Sequence, residues 1–153
     1  MRTITLAATL LALAACSTES SPVSESLPIE QTTFASALGV NLATSTKTAE
    51  GLYYRDLVVG TGAELTAGRT VSVFYQGALA NGSQFDATGT APYSFRLGVG
   101  QVIRGWDLGV AGMKVGGRRQ LIIPPSLGYG GQRVGPIPPN SILVFTVEAA
   151  GVQ

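Results

Sequence analysis

Short apolar runs broken by glycine and proline set the strongest limit on what this chain can fold into. Thr70-Val71-Ser72-Val73-Phe74-Tyr75-Gln76 alternates, with Val71, Val73 and Tyr75 on one face, the period of a half-buried strand. Asn81-Gly82 follows as a hairpin signal, because both residue types tolerate positive φ. A hairpin tip also accounts for the nominal glycosylation triplet Asn81-Gly82-Ser83. Gln120-Leu121-Ile122-Ile123 reads as a strand stopped by Pro124-Pro125, and residues 141–149 form another, with Leu143, Phe145 and Val147 opposite Ile142, Val144 and Thr146. The 20 Gly and 8 Pro, with charged residues at only 12%, suit short strands and tight turns rather than long helices. One stripe has helical spacing: Val102, Trp106, Val110 and Met113, ended by Gly116-Gly117. The 153 residues are enough for one domain and too few for two. The expected fold is therefore α+β: a single antiparallel, twisted sheet wrapping one short α-helix laid across its concave face. That arrangement brings Trp106 close to the aromatic positions of the sheet, where a pocket can form.

The N-terminus has a different character. Met1-Arg2 carries positive charge, and residues 4–15 are uncharged. The run is too short to span a bilayer, which takes about 20 residues, but it suits a secretory signal. Residues 1–15 are thus expected to be a signal peptide. Leu13-Ala14-Ala15-Cys16 resembles the bacterial lipobox, which implies that Cys16, the sole cysteine, is lipidated and anchors the chain to a membrane. Each buried methylene of such an anchor contributes about 0.8 kcal/mol. Ser17, rather than Asp, follows it, which points to the outer membrane, facing the periplasm, in a Gram-negative host. Residues 16–46 read as a flexible, Ser- and Thr-rich tether; Phe34, Leu38 and Leu42 recur at four-residue spacing, so a short helix near 31–42 is an alternative for part of it. Residues 47–153 form the folded domain.

Composition excludes several chemistries. The absence of histidine removes Ser-His-Asp and Cys-His nucleophiles, imidazole proton shuttles and His-containing zinc sites. One cysteine allows no internal disulfide or thiolate cluster. Asp56, Asp86 and Asp107 are scattered singly, so no metal site is expected. Gly98-Val99-Gly100 begins like a dinucleotide fingerprint, but Ile103 occupies the third glycine position and no βαβ pattern surrounds it. No cofactor is implied. From Lys47 onward nine Lys and Arg face six Asp and Glu, a net +3 without a basic run, which makes nucleic acid a poor partner. The aromatic residues carry more information. Tyr75, Phe85, Tyr93, Phe95, Trp106, Tyr129 and Phe145 come from widely separated segments. Core packing explains any one of them, but buried tyrosines need a hydroxyl partner, so Tyr75 and Tyr129 suit a pocket wall. Tyr129 also lies among Gly128, Gly130, Gly131, Gly135, Pro136, Pro138 and Pro139, the composition of an irregular rim.

Val102-Ile103-Arg104-Gly105-Trp106-Asp107, Gly112-Met113-Lys114-Val115-Gly116, Tyr129-Gly130 and Ile137-Pro138-Pro139-Asn140, in that order, resemble an FKBP-type peptidyl-prolyl isomerase. Gly51-Leu52-Tyr53-Tyr54, Val73-Phe74-Tyr75-Gln76-Gly77, Gly82-Ser83-Gln84-Phe85-Asp86 and Leu143-Val144-Phe145 keep the same order. The likeness covers about residues 51–149. It implies rotation about the bond preceding proline in polypeptide clients. The barrier is about 18–20 kcal/mol, and uncatalysed turnover takes about 10–100 s. No bond breaks, so the reaction fits a chain without histidine. By the same resemblance Trp106 forms the pocket floor, and Tyr75, Phe85, Tyr93, Val102, Ile103 and Phe145 its walls. Ile137 belongs with them on the substrate side. The N–H of Ile103 and the hydroxyl of Tyr129 donate to substrate carbonyls, and Asp86 meets the polar edge, with turn capping as its alternative role.

Two departures stand out. The segment between Phe85-Asp86 and Pro92-Tyr93 is shorter than in common members and lacks their arginine, leaving the partner of Asp86 open. Arg133-Val134-Gly135-Pro136 stands where the family often has histidine or an aromatic residue. A proline-binding module with negligible turnover and a small-molecule carrier stay open as alternatives. No long helical dimerisation segment is present, and a monomer is expected.

Overall fold

A computed structural model describes residues 27–153. The signal peptide expected at 1–15, lipidation at Cys16 and the first part of the tether lie outside the described residues. Seven strands form one antiparallel sheet: β1 (Thr46–Lys47), β2 (Tyr53–Val58), β3 (Thr70–Leu79), β4 (Gln84–Ala87), β5 (Tyr93–Arg96), β6 (Arg118–Ile123) and β7 (Leu143–Val152). The order is β1-β2-β6-β7-β3, and β4 and β5 share the outer edge of β3. Among the described residues one α-helix, α1 (Arg104–Gly109), crosses the sheet, as the α+β reading requires.

Strand alternation divides the core in two. Val71, Val73, Leu121, Ile123, Leu143, Phe145 and Val147 pack with Trp106 and Val110 on the helix side, while Tyr53, Ile122, Ile142 and Val144 face the other way. The helix rests directly on β6 because its contact face is glycine. A Cβ on Gly105 would lie 2.5 Å from Ile123 Cγ2, and one on Gly109 2.7 Å from Leu121 Cδ2. Trp106, beside Gly105, can then project over the sheet. Arg119 fixes the other end of the helix. Its Nη1 donates to Gly109 O (2.9 Å), while Nε and Nη2 grip Asp56 (2.6 and 3.0 Å).

The helix is shorter than the stripe Val102 to Met113 suggests. Ile103 is extended (ψ 147°) and Gly112 is left-handed (φ 79°), so Val102 precedes the helix and Met113 turns inward after it. The spacing identifies the buried face but not its backbone. The Asn81-Gly82 hairpin also differs in form. Gly82 N–H donates to Leu79 O and Leu79 N–H to Ser83 O (both 2.9 Å), and of the two residues only Gly82 has positive φ. This is a three-residue loop ending in a left-handed glycine.

The largest revision concerns residues 27–45. Rather than a solvated tether or a single helix near 31–42, they form a strap of three 3-10 turns, Ile29–Gln31, Ser36–Leu38 and Leu42–Thr44, docked on the sheet face opposite α1. Phe34, Leu38, Val40 and Leu42 pack against Ile29, Tyr53, Ile122, Ile142 and Val144. Left-handed Gly39 (φ 58°) breaks any continuous helix, and Ser and Thr favour one only weakly. Side chains of the sheet satisfy the strap's backbone instead. Gln120 Nε2 donates to Leu38 O and Arg55 Nη2 to Gly39 O (both 2.7 Å), while Ala35 N–H donates to Ala80 O at 2.8 Å. Glu30 accepts from both Lys47 Nζ and Tyr53 OH. These bonds, those to Lys47 first, hold the Glu30 carboxyl down at about 2.

Candidate functional site

The outer edge of β3 is where the sheet opens. β5 pairs with residues 70–73 and β4 with residues 76–78, so the connecting loop leaves at Tyr75. Backbone and hydroxyl bonds between Tyr75 and Thr88 hold that departure. The register then slips: Gly77 opposes Asp86 and Ala78 opposes Gln84, leaving Phe85 as the extra residue of a bulge. Strict alternation would send Phe85 and Asp86 to opposite faces; the bulge re-aims them, and both border the same cavity. Gly77 leaves room for this. A Cβ there would meet Phe145 Cε1 at 2.6 Å and Phe85 Cε2 at 2.8 Å.

The cavity measures about 640 Å³, within the roughly 300–1,000 Å³ of small-ligand sites. Trp106 forms its floor and is only 4% exposed. Around that indole stand Tyr75 (ring centroids 4.9 Å apart), Phe145 (5.3 Å) and Phe95 (5.5 Å). The first two meet it edge-on at 84°, the favoured geometry for aromatic pairs. Phe85 meets Phe145 edge-on at 5.5 Å. Tyr93, 41% exposed, forms the rim over Phe95. Val102 and Ile103 supply one wall, and Tyr129 and Ile137 the opposite loop. Every pocket residue inferred from the sequence therefore lines this one cavity. Gly100, Gln101 and Pro136 also line it, which the sequence pattern does not predict. Pro136 had a signal in the Gly- and Pro-rich rim; Gly100 and Gln101 had none beyond adjacency to Val102.

Polar groups converge at the mouth. Tyr75 OH donates to Asp86 Oδ2 at 2.6 Å, and Ala87 N–H donates to Asp86 Oδ1 at 2.9 Å. Asp86 thus serves both the pocket edge and its own turn, with the Tyr75 phenol as its side-chain partner. Burial, then the bond to Asp86, drives the Tyr75 phenol well above its usual range. Tyr129 is raised as well, by burial first and then by the Asp86 charge, so both phenols keep their protons. Among the described residues the Tyr129 hydroxyl and the Ile103 N–H make no hydrogen bond, although Ile103 O accepts from Trp106 N–H at 2.9 Å. Two unengaged donors therefore border an aromatic cup. The indole N–H of Trp106 is buried without a partner among the described residues.

A single sheet, one glycine-seated helix and a cup floored by the helix's tryptophan define the class. Residues 62–150 match the family model for FKBP-type peptidyl-prolyl cis-trans isomerase, and the chain belongs to that family. It is 54% identical over 99 residues to "FK506-binding protein 4" of Dictyostelium discoideum, covering 64% of this chain and 27% of that protein. It is 42% identical over 139 residues to "Peptidyl-prolyl cis-trans isomerase FKBP15-3" of Arabidopsis thaliana, covering 88% and 97%. Among solved structures, FkpA from Escherichia coli aligns with a TM-score of 0.67 and 42% identity, over 72% of this chain and 52% of that one. The chain spans about a quarter of the length of the first two curated relatives, 27% and 23%.

Proposed function

We propose that this chain catalyses cis-trans isomerisation of Xaa-Pro bonds in polypeptide clients, with the proline ring seated over Trp106. The observation that carries the reading is the pairing of a deep aromatic cup with two unengaged donors, Ile103 N–H and Tyr129 OH. In water the planar imide is stabilised by solvation of its polar carbonyl. An apolar cup removes that solvation, which costs the planar state more than the twisted one, whose resonance is already lost. The two donors hold substrate carbonyls on the proline side of the bond while the segment before proline turns. Asp86, fixed by Tyr75, supplies a negative edge beside the rotating group. Nothing in this scheme transfers a proton.

The test is magnetisation exchange by NMR on a short Xaa-Pro peptide with the purified chain. Catalysis predicts exchange at substoichiometric protein far above the uncatalysed rate. Tight peptide binding without acceleration would leave a proline-binding module instead.

We further propose that the protein is lipidated at Cys16 after removal of residues 1–15 and acts at the outer membrane, facing the periplasm. The support is the Leu13-Ala14-Ala15-Cys16 sequence behind a charged and then apolar N-terminus. Mass spectrometry of the mature N-terminus decides it: an acylated cysteine supports the proposal, and an unmodified residue 16 overturns it. Because one chain supplies the whole cup, we read the working unit as a monomer, which sedimentation at micromolar concentration checks.

A further inference from the structure

Asp107 stands in the first turn of α1, immediately after the floor residue Trp106. Its carboxylate reaches sideways to the preceding loop. Oδ1 accepts from Gly98 N–H at 2.8 Å and Oδ2 from Gly100 N–H at 2.9 Å. Both glycines have positive φ, 78° and 74°, a conformation costly for residues with a Cβ. Their amides turn away from the sheet and onto one acceptor. A second tie closes the same loop: Arg96 N–H donates to Gln101 Oε1 at 2.7 Å. The segment between β5 and α1 is thus fastened by two side chains. It leads into Gly100, Gln101, Val102 and Ile103, one whole wall of the cup, and into the unengaged N–H of Ile103.

We propose that Asp107 is a positioning residue of the isomerase. By gripping the wall loop from the helix turn that carries the floor, it fixes the separation between the Trp106 ring and the Ile103 N–H. It does not touch the substrate. Bonds to an ionised acceptor are stronger than neutral ones, and a donor fixed before the client arrives spares the ordering cost of binding. This inference rests on the isomerase reading of the cup.

Asp107→Asn tests it, because the amide keeps one acceptor and turns a donor toward the second glycine N–H. KM from NMR exchange, and the peptide Kd from the fluorescence of Trp106, the single tryptophan, should both rise about tenfold, with kcat within about twofold. Asp107→Glu, which keeps the carboxylate, should recover most of that loss. Ile29→Ala, on the opposite sheet face, is the control for stability loss alone and should leave both constants unchanged. Wild-type KM and Kd in folded Asp107→Asn would overturn the proposal. Should that variant fail to fold, Asp107→Glu decides. Slow amide exchange at Gly98 and Gly100 with KM near wild type supports the clamp, and slow exchange with a tenfold higher KM overturns it. If the wild type binds peptide without accelerating exchange, the isomerase reading fails on its own; the Kd of Asp107→Asn then still decides whether the clamp sets the wall.

Discussion

Tyr129→Phe isolates one hydrogen bond from everything else the cup does. In the free protein the hydroxyl has no partner among the described residues, so its removal breaks no bond of the fold, and phenylalanine keeps the ring in the wall. The expected stability change is within about 0.5 kcal/mol, a shift of about 2–3 °C in Tm for a domain of this size. In the proposed complex the phenol would donate to a substrate carbonyl. A neutral hydrogen bond contributes a net of about 0.5–1.5 kcal/mol, which corresponds to a fall in kcat/KM of about 2- to 13-fold. Burial and the Asp86 charge raise the phenol's pKa, so this contribution should not fade between pH 7 and 9. Magnetisation exchange on one Xaa-Pro peptide gives kcat/KM, and a thermal melt gives Tm. Unchanged kcat/KM would remove Tyr129 from the donor role. A loss of activity with a Tm drop of 8 °C or more would assign the hydroxyl to the fold instead.

Gly105→Ala places a methyl 2.5 Å from Ile123 Cγ2 and should cost about 1–3 kcal/mol by overpacking; urea titration should find the loss partly relieved in combination with Ile123→Ala, and strict additivity would mean that the helix is not seated there. Gly77→Ala crowds the rings of Phe85 and Phe145, so Trp106 fluorescence should report weaker binding of a proline peptide, and unchanged affinity would refute the role given to the glycine. The Glu30 carboxyl is held at about 2 by Lys47 and then Tyr53, below its ordinary value near 4.5. A depressed carboxylate stabilises the fold above its unfolded value and loses that contribution as pH falls through the folded one. Wild-type stability should therefore decline between about pH 4.5 and 2 by a component absent from Glu30→Gln, and parallel melting curves for the two proteins would contradict it.

Much of the cup was legible because its residues obey simple periods. Val71, Val73 and Tyr75 alternate along β3, and Trp106 with Val110 lies on a helical stripe, so burial of one face selects them. Phe85 follows no such rule. Its place depends on a bulge opposite Gly77 and Ala78, which strict alternation does not contain; the family likeness, not the period, pointed to it. The strap is hidden in the sequence for a related reason. Its Ser- and Thr-rich composition suggests solvation, whereas its apolar residues and carbonyls are met by Ile122, Gln120 and Arg55 from distant strands. Long-range partners of that kind leave no local trace.

The docked strap also sets a leash. If Cys16 is held in a lipid leaflet, ten residues, 17–26, separate it from the strap, and a stretch of that length can span at most about 33–36 Å. A free chain out to residue 46 would search a far larger volume. With the strap fastened on one side of the sheet and the cup on the other, the proposed anchor would keep the mouth of the cup within a few nanometres of the bilayer.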